Sequence, residues 1–133
     1  MSSPSTFRLQ VNIVDDDPFF SHLVKDALDD NEFLVVTSYP TAEDCLAAES
    51  NQPDVILLDH HLNRDNPDAM DGLVAITAFR EKFPNVKIIM LTGQESLRVA
   101  EEMLALGAMT YVNKDPDAIP LIEKKLHKIL LEI

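Results

Sequence analysis

The sequence predicts an α/β domain built from five βα units, with five strands in one parallel sheet and helices on both of its faces. Three observations carry this. Short runs of branched apolar residues alternate with segments whose apolar residues recur at helical spacing. The run Val55-Ile56-Leu57-Leu58 is apolar without alternation, the pattern of a strand buried on both faces. No linker, internal repeat or low-complexity tract interrupts the 133 residues, so residues 1–133 read as a single domain. Such alternation implies parallel strands joined by right-handed crossovers.

The first strand is predicted over residues 7–14. A helix over 18–30 follows, with Phe20, Leu23, Val24, Ala27 and Leu28 on one face. Residues 33–39 form the second strand and 41–49 a short helix, with Thr41 placed to cap it. The third strand covers 54–58. A long irregular stretch, 60–70, rich in turn formers, is expected to be a mobile excursion. A helix over 72–83 and a strand over 86–91 come next. The helix over 95–106 ends at Gly107, which suits a C-terminal cap. The fifth strand is 109–112. The last helix runs from 117 to the end, with Ile122, Leu126, Ile129, Leu130 and Ile133 buried and Pro120 in its first turn, where a missing N–H is tolerated.

Composition narrows the function. The formal net charge is −12, which disfavours binding to nucleic acid, where Lys and Arg must neutralise phosphates, and to anionic membranes. Proteins or cations are the expected partners. Cys45 is the sole cysteine, so no intramolecular disulfide forms. No apolar run approaches a membrane span, and MSSPSTFR has no signal-peptide core. The expected location is the cytoplasm.

In open α/β sheets, ligands bind beyond the carboxyl ends of the strands. Asp15, Asp16 and Asp17 follow the first strand, Asp59 the third, Thr92 the fourth and Lys114 the fifth. All fall on one rim. Carboxylates brought close repel one another and raise each other's pKa values, and a hard cation with oxygen ligands, such as Mg²⁺, relieves this. One carboxylate of such a set can attack phosphorus. Lys114 and the Thr92 hydroxyl can then stabilise the transferred phosphoryl group.

The stretches VNIVDDDP, DVILLD, MDGL, IIMLTGQE and LGAMTYVNK resemble, in order and spacing, the motifs of a response-regulator receiver domain of two-component signalling. The resemblance spans the whole chain. It implies a flavodoxin-like sheet of order 2-1-3-4-5. It implies Mg²⁺ or Mn²⁺ at Asp15, Asp16, Asp59 and the backbone carbonyl of His61. It further implies Asp59 as phosphoacceptor, Thr92 and Lys114 as phosphate-binding groups, and Thr92 with Tyr111 as the switch. The implied partners are a histidine kinase or phosphotransfer protein and a downstream protein target, with no enzymatic turnover of the domain's own. Three positions depart from the family pattern. Asn63 stands where proline is usual, the stretch after Asp59 is longer, and Asp115 replaces the usual proline after Lys114. Without that proline the Lys114–Asp115 bond is expected to be trans.

Competing readings are weaker. An aspartyl-phosphate-type small-molecule phosphatase would need an acid two residues after the nucleophile, and His61 stands there. A receiver-like scaffold that works without phosphorylation should have lost a key residue, and none is lost. Asp17 reads as a helix cap rather than a ligand. Tyr111 could be an ordinary half-buried strand residue. His60 and His61 are not expected to bind zinc, because adjacent side chains in an extended segment point apart. Asn63, Asp65, Asp68 and Asp71 lack the spacing of an EF-hand. Cys45 reads as inert core.

Overall fold

The computed structural model describes residues 7–48, 52–63 and 67–133. The elements follow in strict alternation: β1 (Leu9–Val14), α1 (Pro18–Leu28), β2 (Leu34–Tyr39), α2 (Ala42–Ala47), β3 (Val55–Asp59), α3 (Gly72–Lys82), β4 (Lys87–Thr92), α4 (Leu97–Leu106), β5 (Thr110–Asn113) and α5 (Ala118–Leu131). The sheet is fully parallel, in the order β2-β1-β3-β4-β5, as the resemblance implies. The order reverses between β1 and β3, so the loops after those two strands diverge and leave a crevice at their carboxyl ends.

Two apolar layers sandwich the sheet. Leu9, Val11, Ile13, Leu57, Ile89 and Leu91 face Val24 and Leu28 of α1 and Ile122, Leu126 and Ile129 of α5. Val14, Ile56, Leu58, Ile88 and Met90 face Cys45, Ile76, Phe79 and Met103 on α2, α3 and α4. Successive β3 residues thus alternate between layers, and all five residues of the strand are buried. Among the described residues, no helix is long and apolar enough to cross a membrane.

Local chemistry sets the ends. Asp17 accepts hydrogen bonds from the Phe19 and Phe20 N–H groups and caps α1, and Thr41 caps α2 through the Asp44 N–H. Gly107, at φ +117°, closes α4 in the left-handed region. Most boundaries shift by a residue or two, and three of the differences change what is buried or where a side chain lies. α1 stops at Leu28, and Leu23 on it is 41% exposed, outside the buried stripe of Ser21, Val24 and Leu28. α4 begins at Leu97 behind a Ser96 cap, so Glu95 lies outside the helix. Ile133 lies past α5 and is 70% exposed. Every described peptide bond is trans, Lys114–Asp115 included.

The long stretch after β3 is anchored at both described ends. Leu62 and Ala69 are buried, and the Met70 N–H donates to Glu43 Oε2 at 2.8 Å. Residues 64–66, the middle of the 60–70 stretch expected to be a mobile excursion, lie outside the described residues, Asp65 included. The stretch ends at Gly72, whose N–H donates to the His60 carbonyl at 3.1 Å. A Cβ on Gly72 would overlap the Asp59 carbonyl oxygen and sit 2.6 Å from the His60 oxygen. Backbone cannot swing aside as a flexible side chain can. Gly→Ala at an exposed helical position normally stabilises by about 0.4–1 kcal/mol. Gly72→Ala is instead expected to destabilise by about 2 kcal/mol, the scale of overpacking. Urea unfolding midpoints would show it, and a neutral or stabilised variant would contradict the close approach.

Candidate functional site

The carboxyl ends of β1 and β3 carry the acids. Asp15 is buried, and its Oδ1 accepts the Asp17 N–H at 2.9 Å, which turns the chain into α1 and aims Oδ2 inward. Asp16 is partly buried, and its Oδ2 makes no hydrogen bond among the described residues. Asp59 ends β3, is 1% exposed, and its carboxylate accepts a hydrogen bond from the His61 backbone N–H. One carboxylate oxygen from each of Asp15, Asp16 and Asp59 falls within 4.8 Å of the other two.

Lys114 reaches this cluster from the end of β5. Its Nζ lies 2.7 Å from Asp15 Oδ2 and 3.2 Å from Asp59 Oδ1, and 4.9 Å above the Phe20 ring. The Lys114 N–H donates to the Thr92 carbonyl at 2.7 Å, which holds the lysine beside the end of β4. One ammonium for three carboxylates leaves the cluster short of positive charge. Burial, and then the Asp15 carboxylate, push the Asp59 pKa up to about 7, against the opposing pull of Lys114 and the His61 N–H. Crowded carboxylates, with a buried Asp16 oxygen lacking a donor, form the donor set that a hard cation with oxygen ligands fits.

Thr92 ends β4, buried, directly opposite Asn113 in the register. Its hydroxyl donates to Asn113 Oδ1 at 2.7 Å. Tyr111 sits on β5 opposite Met90 and is 38% exposed. The residues anticipated from the sequence thus gather on one rim, with Tyr111 at its margin. The sequence reading missed Asn113, because register across a sheet is not visible in a single strand. It also missed Phe20 as the platform under Lys114.

His60 and His61 correct the expectation that their side chains point apart. The chain leaves extended geometry at His60, whose N–H donates to the Leu91 carbonyl and whose carbonyl accepts the Gly72 N–H. Strand alternation therefore stops at Asp59, and the two rings come within 4.3 Å of each other, centroid to centroid. Both face Glu95. Burial raises the Glu95 pKa, but the His60 ring together with the Glu95 and Gly93 N–H groups outweighs this and holds it below its ordinary value.

A family model, the response regulator receiver domain, matches residues 11–125. The chain belongs to that family. Curated relatives include the photosynthetic apparatus regulatory protein RegA of Cereibacter sphaeroides, 31% identical over 78% of this chain and 53% of its own length. The transcriptional regulatory protein DegU of Brevibacillus brevis is 31% identical over 87% of this chain and 48% of its own length. The chain spans about half the length of these relatives. Among solved structures, a CheY-like response regulator receiver domain protein from Methanospirillum hungatei superposes with a TM-score of 0.75 at 30% identity, covering 91% of this chain and 93% of that one. Response regulator DrrB of Thermotoga maritima gives 0.81 at 25% identity, over 95% of this chain and 54% of that one. This receiver domain is accordingly a module of two-component signalling, a class that interacts with kinases and downstream effectors and generally binds Mg²⁺ in an acidic pocket.

Proposed function

We propose that this receiver domain accepts a phosphoryl group on Asp59 from the phosphohistidine of a kinase or phosphotransfer protein. A carboxylate oxygen of Asp59 attacks phosphorus, the phosphorus–nitrogen bond to the donor imidazole breaks, and the electron pair leaves with that nitrogen. Asp15, Asp16, Asp59 and the His61 backbone carbonyl would hold Mg²⁺ or Mn²⁺. When bound, the cation neutralises the crowded acids and the charge on the transferring group. The observation that carries this reading is the convergence of three carboxylates on the Lys114 ammonium, at 2.7 Å from Asp15 and 3.2 Å from Asp59.

Lys114 already bridges Asp15 and Asp59, so it is placed to follow the charge onto a phosphoryl oxygen. Thr92 has to exchange its Asn113 acceptor for a phosphoryl oxygen, and Tyr111, 38% exposed on the adjacent strand opposite Met90, has room to change rotamer. That pair would pass the change to the surface of α4, β5 and α5, where a downstream protein binds. The domain turns over no substrate of its own in this reading. It works in the cytoplasm, and its charge of −12 keeps it off nucleic acid and anionic membranes.

Acetyl phosphate supplies the test. With Mg²⁺, intact-mass spectrometry should show the increment of one phosphoryl group, mapped to Asp59. Without the metal, or in Asp59→Asn, labelling should vanish. Metal-independent labelling, or equal labelling of Asp59→Asn, would sink the reading.

A further inference from the structure

The side chains of His60, His61 and Glu95 take no part in the phosphoryl chemistry, yet they converge. Glu95 Oε1 lies 3.1 Å from His60 Nδ1 and 3.0 Å from His61 Nε2, and one donor atom from each of the three residues falls within 4.8 Å of the other two. The His60 side chain is only 8% exposed, and its Nδ1 makes no hydrogen bond of acceptable geometry among the described residues. A buried imidazole nitrogen that meets a carboxylate without hydrogen-bond alignment is uncommon, because buried polar atoms are nearly always well bonded.

The group is held in place from outside. Glu95 Oε2 accepts the Gly93 N–H at 2.8 Å, which turns Oε1 towards the imidazoles. Gln94, at φ +66°, takes the left-handed turn that brings Glu95 back to the rim. The His60 backbone is fixed by Leu91 on one side and Gly72 on the other. Outer contacts of this kind orient metal ligands in built sites.

We propose that His60 Nδ1, His61 Nε2 and Glu95 Oε1 form a site for a borderline divalent cation of the zinc class, separate from the oxygen-only cluster of Asp15, Asp16 and Asp59. Zinc bonds of about 2.0–2.1 Å in tetrahedral array place donor atoms roughly 3.3 Å apart, so the two distances to Glu95 Oε1, 3.1 and 3.0 Å, need only slight opening, and the imidazoles must close to the same spacing from within 4.8 Å. Two imidazoles and a carboxylate suit Zn²⁺, Cu²⁺ or Ni²⁺, whereas three carboxylates suit Mg²⁺. The two neighbouring clusters therefore sort cations by donor chemistry. Three protein ligands leave a fourth position for water or for a partner's side chain. An ion there would tie the loop after β3 to the loop after β4, three residues beyond Thr92. That restraint on the switch segment rests on the phosphoryl reading above; the site itself does not.

Calorimetric titration of the chelator-stripped chain with Zn²⁺, in saturating Mg²⁺, tests the site. One Zn²⁺ should bind per chain. Affinity should fall by more than about tenfold in His61→Ala and in Glu95→Gln, since even outer-shell partners are worth 10- to 100-fold. It should be unchanged in His22→Ala and His127→Ala and retained in Asp59→Asn. Co²⁺ should give the visible absorption of a low-coordinate ion, lost in the same two variants. Metal-free melts check that both variants fold. Absence of saturable binding would overturn the proposal. So would Zn²⁺ that Mg²⁺ displaces, or binding lost in Asp59→Asn but kept in His61→Ala. Failure of acetyl phosphate labelling with Zn²⁺ binding intact would count against the phosphoryl reading alone.

Discussion

Truncating Lys114 to alanine is expected to destabilise the metal-free domain by about 3 kcal/mol at pH 8, the lower end of what breaking a buried ion pair costs. The ammonium sits 2.7 Å from Asp15 Oδ2 and 3.2 Å from Asp59 Oδ1, and neither carboxylate has appreciable solvent contact. Without it, two buried negative charges face each other with a third, Asp16, alongside. The domain has one inexpensive escape, which is to protonate Asp59. Its pKa, already about 7, would rise further once the lowering contribution of Lys114 is gone. The loss should therefore shrink as pH falls towards 5. Saturating Mg²⁺ should also recover much of it, since the cation then supplies the missing charge. Urea unfolding of wild type and Lys114→Ala at pH 5 and 8, with and without Mg²⁺, would measure all four states. A loss below about 1 kcal/mol at pH 8, the scale of exposed pairs, would mean that the lysine is solvated and not integral to the cluster.

The same physics explains which parts of the site could be read in the sequence. In a parallel sheet all strands point one way, so residues that follow strands in the chain must meet on one rim. Asp15, Asp59, Thr92 and Lys114 each stand at the end of a recognisable apolar run, and their convergence follows from that alone. Their chemical types then narrow what the rim can do. Contacts made across the sheet were out of reach. The Thr92–Asn113 bond depends on the β4–β5 register, and single strands carry no record of register.

Glu95 was missed for a different reason. Apolar periodicity extended smoothly back from Leu97, and helix boundaries read from pattern err by a residue or two. Ser96 takes the cap, and that shift turns Glu95 from a helix-surface acid into a ligand-like group facing two histidines. The histidines were misread because strand alternation was carried one residue too far, past Asp59. The close approach of Gly72 to the Asp59 and His60 carbonyls bends the chain there. Leu23 shows the limit of periodicity on a surface helix: it sits at the stripe's edge, where Ser21 takes the buried place instead.

Replacing Asp59 with asparagine should stabilise the metal-free domain, by about 2 kcal/mol or more at neutral pH and above. The sign follows from linkage. The Asp59 pKa moves from an ordinary 3.8 to about 7 on folding, first because burial disfavours the charged form and then because Asp15 repels it. The folded state thus holds a proton that the unfolded state has already released between these values. Stability is fully present below about pH 4 and is lost as pH rises through about 7. Three pKa units correspond to about 4 kcal/mol as a ceiling. Water entry and relaxation around a rim residue should reduce this to roughly half. Asparagine keeps the shape and cannot ionise, so its advantage should grow from near zero at pH 4 to a plateau above pH 7. With Asp59 as a ligand, as proposed, Mg²⁺ should reverse the ranking, because it would stabilise wild type by mass action, about 2.7 kcal/mol at 100 times its Kd, while the variant would lack one anionic ligand. Chemical denaturation across pH 4–8 with a chelator, repeated in Mg²⁺, is the measurement. Parallel wild-type and Asp59→Asn curves across that range would show that the Asp59 charge is not strained in the folded state. The cluster would then have no unmet electrostatic demand for a cation to satisfy.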